Sequence, residues 1–265
     1  MPRLPALDHI VILVSHDTLM GLSDHIQHLF IVAPGGNHAD GLTSNKLVLL
    51  EDGVYIEFIA FFDDIDPDRR RKHRWGNLKE NTIIDWAFTL PPDDDFGPIK
   101  QRVRDTKTRF SYEEPAPGGR KKNDGTILEW TISVPTDALT NTLPPGRLPF
   151  WCLDKTPREL RVPYTVEPEL TQHPSGVRGV SSLSLSVPMR EISDLAEVYE
   201  AIHGRREPVD LVNQVWPYEV PAGSTAGRHT ITLLGSAEGT NITLTLSGTS
   251  PGRIELLPGI AIYIE

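Results

Sequence analysis

The sequence predicts an α+β protein assembled from repeated units, each a strand, a helix and a hairpin. Two observations carry that prediction. The first is a short, uninterrupted apolar run, Leu7 to Val14, followed at once by residues with helical spacing and then by an Asp-Gly turn between two further apolar runs. The second is that this order restarts near Ile83 and again near Val180.

Leu7 to Val14 (LDHIVILV) is rich in β-branched residues and reads as a strand buried on both faces. Ser15 to Thr18 offers hydroxyl and carboxylate caps, after which Leu19, Leu22, Ile26, Leu29 and Phe30 recur at helical spacing, so one amphipathic helix is expected. The glycine-rich stretch APGGNHADG reads as a loop. Leu47 to Leu50 and Val54 to Phe61 then flank Glu51-Asp52-Gly53, a hairpin signal. After a charged connector, Asp63 to Arg74, the order repeats. Ile83 to Leu90 reads as strand, Phe96 to Thr108 as helix, GGRKKNDG as loop, and Thr126 to Val134 and Leu148 to Leu153 as strands. A third start follows at Val180 to Val187, with a helix over Glu191 to His203 and strands at His229 to Leu234, Asn241 to Leu246 and Arg253 to Ile264. The expected organisation is two units over 1–155, a proline-rich linker over 156–175 and a third unit over 176–265. One helix on a curved sheet cannot cover both of its faces, so the units should pair and leave a cleft between them.

Composition bounds the partners. The 265 residues are 38% hydrophobic, enough for a sizeable core, and the formal charge of -10 repels a phosphate backbone, so no nucleic acid is expected. No window approaches the roughly 20 apolar residues of a membrane helix, and the N-terminal run lacks a small-residue cleavage site, so neither membrane nor secretion is expected. The lone Cys152 excludes an internal disulfide and suits a reducing, cytoplasmic setting. It lies in an apolar strand and reads as an inert thiol. There is no GxSxG, GxGxxG after a strand, or P-loop.

The pieces LDHIVILV, GGNHADGLTSNKLVLL and DGVYIEFIAF, followed by IDWAFTL, DGTILEWTISV, LPFWCL and HPSGVRGVSSLSL, resemble the vicinal oxygen chelate superfamily and, within it, the glyoxalase-like domain proteins. The resemblance covers Leu7 to Val187. It implies βαβββ modules forming half-open mixed β-barrel sheets with flanking helices, paired around a metal or ligand cleft. In metal-binding members the first strand of a module offers a His and the last a Glu, so the resemblance implies His9 and Glu57 as ligands. The residues agree on their own account, since an imidazole and a carboxylate each interrupt an apolar strand and an unpaired buried carboxylate is costly. His38, on the glycine-rich loop, would be a third ligand or a proton carrier. The second module departs from the pattern: Trp86 aligns over His9, and Phe150-Trp151-Cys152-Leu153 over Glu57 contains no carboxylate. The third offers Ser182 and Thr243, or Glu255 with a shifted hairpin.

Three readings of His9 and Glu57 therefore stand: a site for one divalent ion (Zn, Fe, Mn, Co or Ni) in a lyase, isomerase or dioxygenase, a metal-free pocket that sequesters a small molecule, or a structural pair. Asn45, Tyr55, Trp75, Trp86, Trp130 and Trp151 are expected to line the pocket, with Arg178, or Arg74 beside Trp75, as a clamp for a substrate carboxylate. The basic runs RRRKHR and GRKK read as solvated loops. A site shared between two copies, in a homodimer, is also compatible with such modules.

Overall fold

The computed structural model describes residues 4–122, 124–204, 214–223 and 229–265. The first apolar run forms β1 (Ala6–Leu13), buried on both faces. The expected single helix is two short ones, α1 (His16–Met20) and α2 (Leu22–Ile26), divided at Gly21, which serves as the C-cap of one and the N-cap of the other. Ser15 caps α1 by accepting from the Thr18 amide at 3.1 Å. The glycine-rich stretch is a strand at its start, β2 (Ala33–Asn37), and the hairpin is β3 (Thr43–Leu49) and β4 (Tyr55–Phe61). The connector carries α3 (Pro67–Lys72).

The second unit repeats the order as β5 (Thr82–Thr89), α4 (Gly97–Asp105), β6 (Phe110–Tyr112), β7 (Ala116–Lys121), β8 (Ile127–Ser133), β9 (Pro135–Asp137) and β10 (Phe150–Asp154). Eight of these strands form one mixed sheet in the order β2-β3-β4-β1-β5-β10-β8-β7. Each unit contributes four, and the units join where β1 and β5 pair antiparallel. The sheet curls until its edges almost meet. A bridge between His38 and Arg120, with the Ala39 amide donating to the Gly119 carbonyl at 3.2 Å, closes the seam between β2 and β7. Both halves of this barrel come from one chain.

The register between β1 and β5 corrects the sequence alignment of the units. Ile10 faces Trp86, while His9 faces Ala87 and Val11 faces Asp85, so exchanging the two strands maps His9 onto Asp85. Val11 pairs with Glu57 on β4, and Ala87 pairs with Phe150 on β10, so Glu57 maps onto Phe150. Trp86 is one residue out of register, and one residue reverses the face. It points away from the barrel interior, edge-on to Phe88 at 5.0 Å.

The segment after the barrel holds α5 (Arg158–Arg161) and a 3₁₀ turn, Pro168–Thr171, folded against the barrel. His173 fixes this stretch by accepting from the Ile31 amide and donating to the Leu49 carbonyl. Beyond it a second sheet comprises β11 (Val177–Pro188), β12 (Val215–Pro217), β13 (Thr230–Ser236), β14 (Asn241–Gly248), β15 (Gly252–Leu257) and β16 (Ile260–Ile264), in the order β12-β13-β11-β14-β16-β15. Again a central antiparallel pair, β11 and β14, is flanked on each side by a parallel partner. The stretch expected to form one third unit thus supplies two abbreviated ones: the first keeps its helix, α6 (Ile192–Ile202), and the second has none. One face of β11 is apolar; Ser182, Ser184 and Ser186 occupy the other, half-buried. The apolar faces of both sheets share one core that includes Leu7, Ile10, Trp86, Phe88, Leu183, Leu185 and Leu244. Among the described residues no helix is long and apolar enough to cross a membrane.

Asp52, in the β3–β4 turn, ties the sheets together. It accepts from the Val54 amide at 2.9 Å and, across the interface, from the Val180 amide at 2.7 Å. Gly179 is required there, because a Cβ would stand 2.5 Å from the Asp52 Oδ2 atom. Burial pushes the Asp52 pKa up to about 6, against the opposing pull of the Val180 and Val54 amides and of His229. The folded state therefore holds this proton more tightly than the unfolded chain, and the associated stability is present below about pH 4 and lost as pH rises through 6. The full shift corresponds to about 3 kcal/mol. Urea denaturation of wild type and Asp52→Asn between pH 4 and 7 is expected to show a pH-independent cost of the amide, which opposes an N–H donor, and a stability slope reduced over that window.

Candidate functional site

Inside the barrel, at the end away from Leu13, lies a cavity of about 260 Å³. His9, His38, Asn45, Tyr55, Glu57, Trp75, Trp130, Phe150 and Cys152 line it, together with Arg120 and Arg161. β1 places His9, β3 Asn45, β4 Tyr55 and Glu57, and all of these side chains are buried.

Glu57 is the centre of the polar wall. Its Oε1 atom accepts from Asn45 Nδ2 at 2.5 Å and lies 3.6 Å from His38 Nε2. Its Oε2 atom faces His9 Nε2, also at 3.6 Å. The other nitrogen of each imidazole is engaged behind the wall: His9 Nδ1 meets Asp8 Oδ1 at 2.7 Å, and His38 Nδ1 meets Thr43 Oγ1 at 2.8 Å. The His9 ring is further held by stacking on Tyr55, with centroids 4.6 Å apart. Asn45 is saturated as an acceptor, because Gly36 N and Arg120 Nη1 both donate to its Oδ1 atom at 3.0 and 2.8 Å. That fixes the amide orientation and directs its NH₂ at Glu57.

Asp8 has no exposure, and two arginines of α5 neutralise it. Arg158 donates to it at 2.7 Å and Arg161 at 3.0 and 2.9 Å, while Arg161 also reaches Asp154 and the Tyr55 hydroxyl. Burial alone would raise the Asp8 pKa, but Arg158 and Arg161, aided by His9, hold it well below the usual carboxylate range. Asp8 is therefore an acceptor only, and the hydrogen on His9 Nδ1 points at it. His9 Nε2 is then the ring nitrogen left facing Glu57 Oε2. Burial, partly offset by Glu57, lowers the His38 pKa, which favours its neutral ring.

Several sequence expectations are corrected. Trp86 and Trp151 are fully buried on the opposite face of the sheet, packed with Phe88, and do not reach the cavity. Phe58 lies in the same outer core. Arg178 is exposed and away from the cavity; its carbonyl accepts from the Glu51 amide. Arg74 is committed to Asp85, which also accepts from Trp75 Nε1 and Gly146 N. The second unit therefore does carry a carboxylate at the His9 position, already saturated. Cys152 borders the cavity, and burial pushes its thiol pKa well up. Arg120 and Arg161, absent from the sequence expectations, are both in the site. The GRKK run had read as a solvated loop and the region around Arg161 as a linker.

Comparison with known proteins identifies this architecture. The family model described as a glyoxalase-like domain matches residues 7–202. The chain belongs to the glyoxalase-like domain family. No curated protein matches the sequence. Among solved structures, a hypothetical protein from Staphylococcus aureus is similar at a TM-score of 0.68 and 13% identity, covering 98% of this chain and 99% of that one. A mutant 4-hydroxymandelate synthase from Streptomyces coelicolor is similar at 0.51 and 14% identity, covering 94% and 72%. These likenesses show the fold, and the first includes both sheets.

Replacing Asp8 by Asn leaves Arg158 and Arg161 with only Asp154 as a carboxylate partner. Loss of one partner from such a buried network costs about 3–5 kcal/mol, so the urea midpoint of Asp8→Asn should fall steeply. A midpoint within error of wild type would show that the network contributes little.

Proposed function

We propose that this glyoxalase-like chain is an enzyme that moves a proton on a small organic substrate with neighbouring oxygens, using His9, His38 and Glu57. The observation that carries the reading is the approach of His9 Nε2 and Glu57 Oε2 to 3.6 Å in a buried cavity. Two such atoms repel unless a proton or a cation lies between them. The donor set fits one divalent ion of borderline character: two imidazoles anchored through Nδ1, and a carboxylate. Ligand atoms stand about 2.0–2.2 Å from such an ion and hence about 3–4 Å from one another. When bound, the ion would supply Lewis-acid polarisation of the substrate oxygen. Among the described residues, no group of three such donors already surrounds one point, so the third would have to move in.

The side chains divide the remaining work. Asn45 fixes Glu57 through Oε1, which leaves Oε2 as a ligand to the ion or, when displaced from the ion or without it, as the atom that takes and returns a proton. Asp8 and Tyr55 hold the His9 ring. Trp75, Trp130 and Phe150 enclose the substrate's apolar part and exclude water. The partner in this reading is a small molecule, and the setting is the cytoplasm. A second copy is not needed to complete the cavity.

One observation favours a metal-free binding pocket instead: Arg120, bonded to the Asn45 that holds Glu57, already supplies positive charge beside the carboxylate. Elemental analysis separates the two readings. After dialysis without chelator the protein is expected to carry near-stoichiometric zinc, iron, manganese, cobalt or nickel, lost in His9→Ala. In D₂O, α-proton washout from small ketones and hydroxyketones should slow about 10²–10⁴-fold in Glu57→Gln. Absence of metal in wild type even after add-back, with no washout, would favour the binding protein.

A further inference from the structure

Four buried or half-buried arginines are each paired with a carboxylate. Arg158 and Arg161 pair with Asp8 and Asp154, and Arg109 and Arg147 pair with Glu191. Arg120 does not. It is 5% exposed and lines the cavity, yet among the described residues no carboxylate lies within ion-pair distance. Of its five N–H donors, Nη1 bonds to Asn45 Oδ1, and Nε has no partner among the described residues. Asn45 is neutral and already shared with Gly36, so it does not compensate the charge. The backbone makes room for the guanidinium: a Cβ on Gly36 would stand 3.0 Å from Arg120 Cδ. A buried guanidinium that reaches a carboxylate, Glu57, only through the neutral amide of Asn45 is costly for the fold and apt for recognising an anion.

We infer that Arg120 anchors the carboxylate of the ligand, so that the cavity takes a small organic acid. The carboxylate lies on Arg120 and the apolar body among Trp75, Trp130 and Phe150. The further statement that the acid's oxygen-bearing carbon faces Glu57 rests on the function proposed above; the anchor itself does not. A carboxylate suits the site better than a phosphate. Arg120 lines the cavity without a carboxylate partner among the described residues, and Arg161 is spent on Asp8 and Asp154. One fork matches one planar, singly charged group.

The competing account makes Arg120 a structural counter-charge to Glu57, relayed by Asn45. The two accounts predict different things. Isothermal titration calorimetry with acetate, lactate, phenylacetate and phenyllactate, each against its primary amide, and with inorganic phosphate, distinguishes them. At least one acid is expected to bind about tenfold or more tightly than its amide, as a charge-assisted bond in a dry site supplies. Arg120→Met should lose that preference with an unchanged or higher Tm, and Arg120→Lys, which keeps the charge without the fork, should retain part of it. Glu57→Gln should retain the preference even if it abolishes proton transfer, which keeps a failure of the enzyme reading distinct. Equal binding of every acid and its amide to wild type would overturn the inference. So would a preference that survives Arg120→Met, phosphate outbinding every acid, or a lowered Tm in Arg120→Met without loss of acid binding.

Discussion

The carboxylate of Asp8 has to be charged in a place where charge is expensive, and much of the site's geometry is arranged around that fact. It sits on a strand with both faces buried, where ionisation without partners would be prohibitive. Two arginines from α5 supply the compensation, and they reach it only because the chain beyond the barrel turns back and packs against it. The same interaction orients His9 through Nδ1 and holds Tyr55 through Arg161. A segment rich in proline is thereby tied to the barrel by ion pairs as well as by the burial of Val162 against Leu47, Leu49 and Tyr55. It closes the barrel's end, and the residues it orders on the far side of Asp8 are those that face the cavity.

Strand exchange between the two units shows how their equivalent positions differ. His9 corresponds to Asp85 and Glu57 to Phe150. Asp85 is saturated by Arg74, Trp75 and Gly146, and that consumption of its lone pairs turns it into a brace holding Trp75 against the cavity. Phe150 presents a ring to His9, edge-on at 5.3 Å. The first unit thus lines the cavity with His9, Asn45 and Glu57, and the second with Trp130, Phe150 and Arg120.

The sequence made the fold legible wherever period and turn chemistry agreed. β1, the Asp-Gly hairpin and the restart near Ile83 all lie where their patterns put them, because a run of buried β-branched residues has few alternatives. The errors share one physical origin. Strand faces alternate with every residue, so an alignment slipped by one placed Trp86 and Trp151 in the pocket and hid Asp85. His9 and Glu57 were visible as polar interruptions of apolar strands, His38 on the glycine-rich loop and Asn45 where the next strand begins. Arg120 and Arg161 were not, because arginine in a basic run or after a proline is ordinarily solvated, and only long-range packing buries it. Gly36, where a Cβ would stand 3.0 Å from Arg120 Cδ across the seam, was the available signal.

The charges around His9 balance without any ligand: Asp8, Asp154 and Glu57 against Arg120, Arg158 and Arg161. The balance is global, however, and not local. Four of the six groups are locked in one network on α5's side of His9, which leaves Glu57 and Arg120 separated by a neutral amide, each facing the cavity. A divalent ion at His9 and Glu57 would by itself give the site a net positive charge in a medium that screens poorly. A carboxylate at Arg120 offsets part of that excess at a distance a small substrate can span. Ion and acid would then each make the other's binding more favourable, and the neutral spacer between Glu57 and Arg120, Asn45, is what keeps their two places apart.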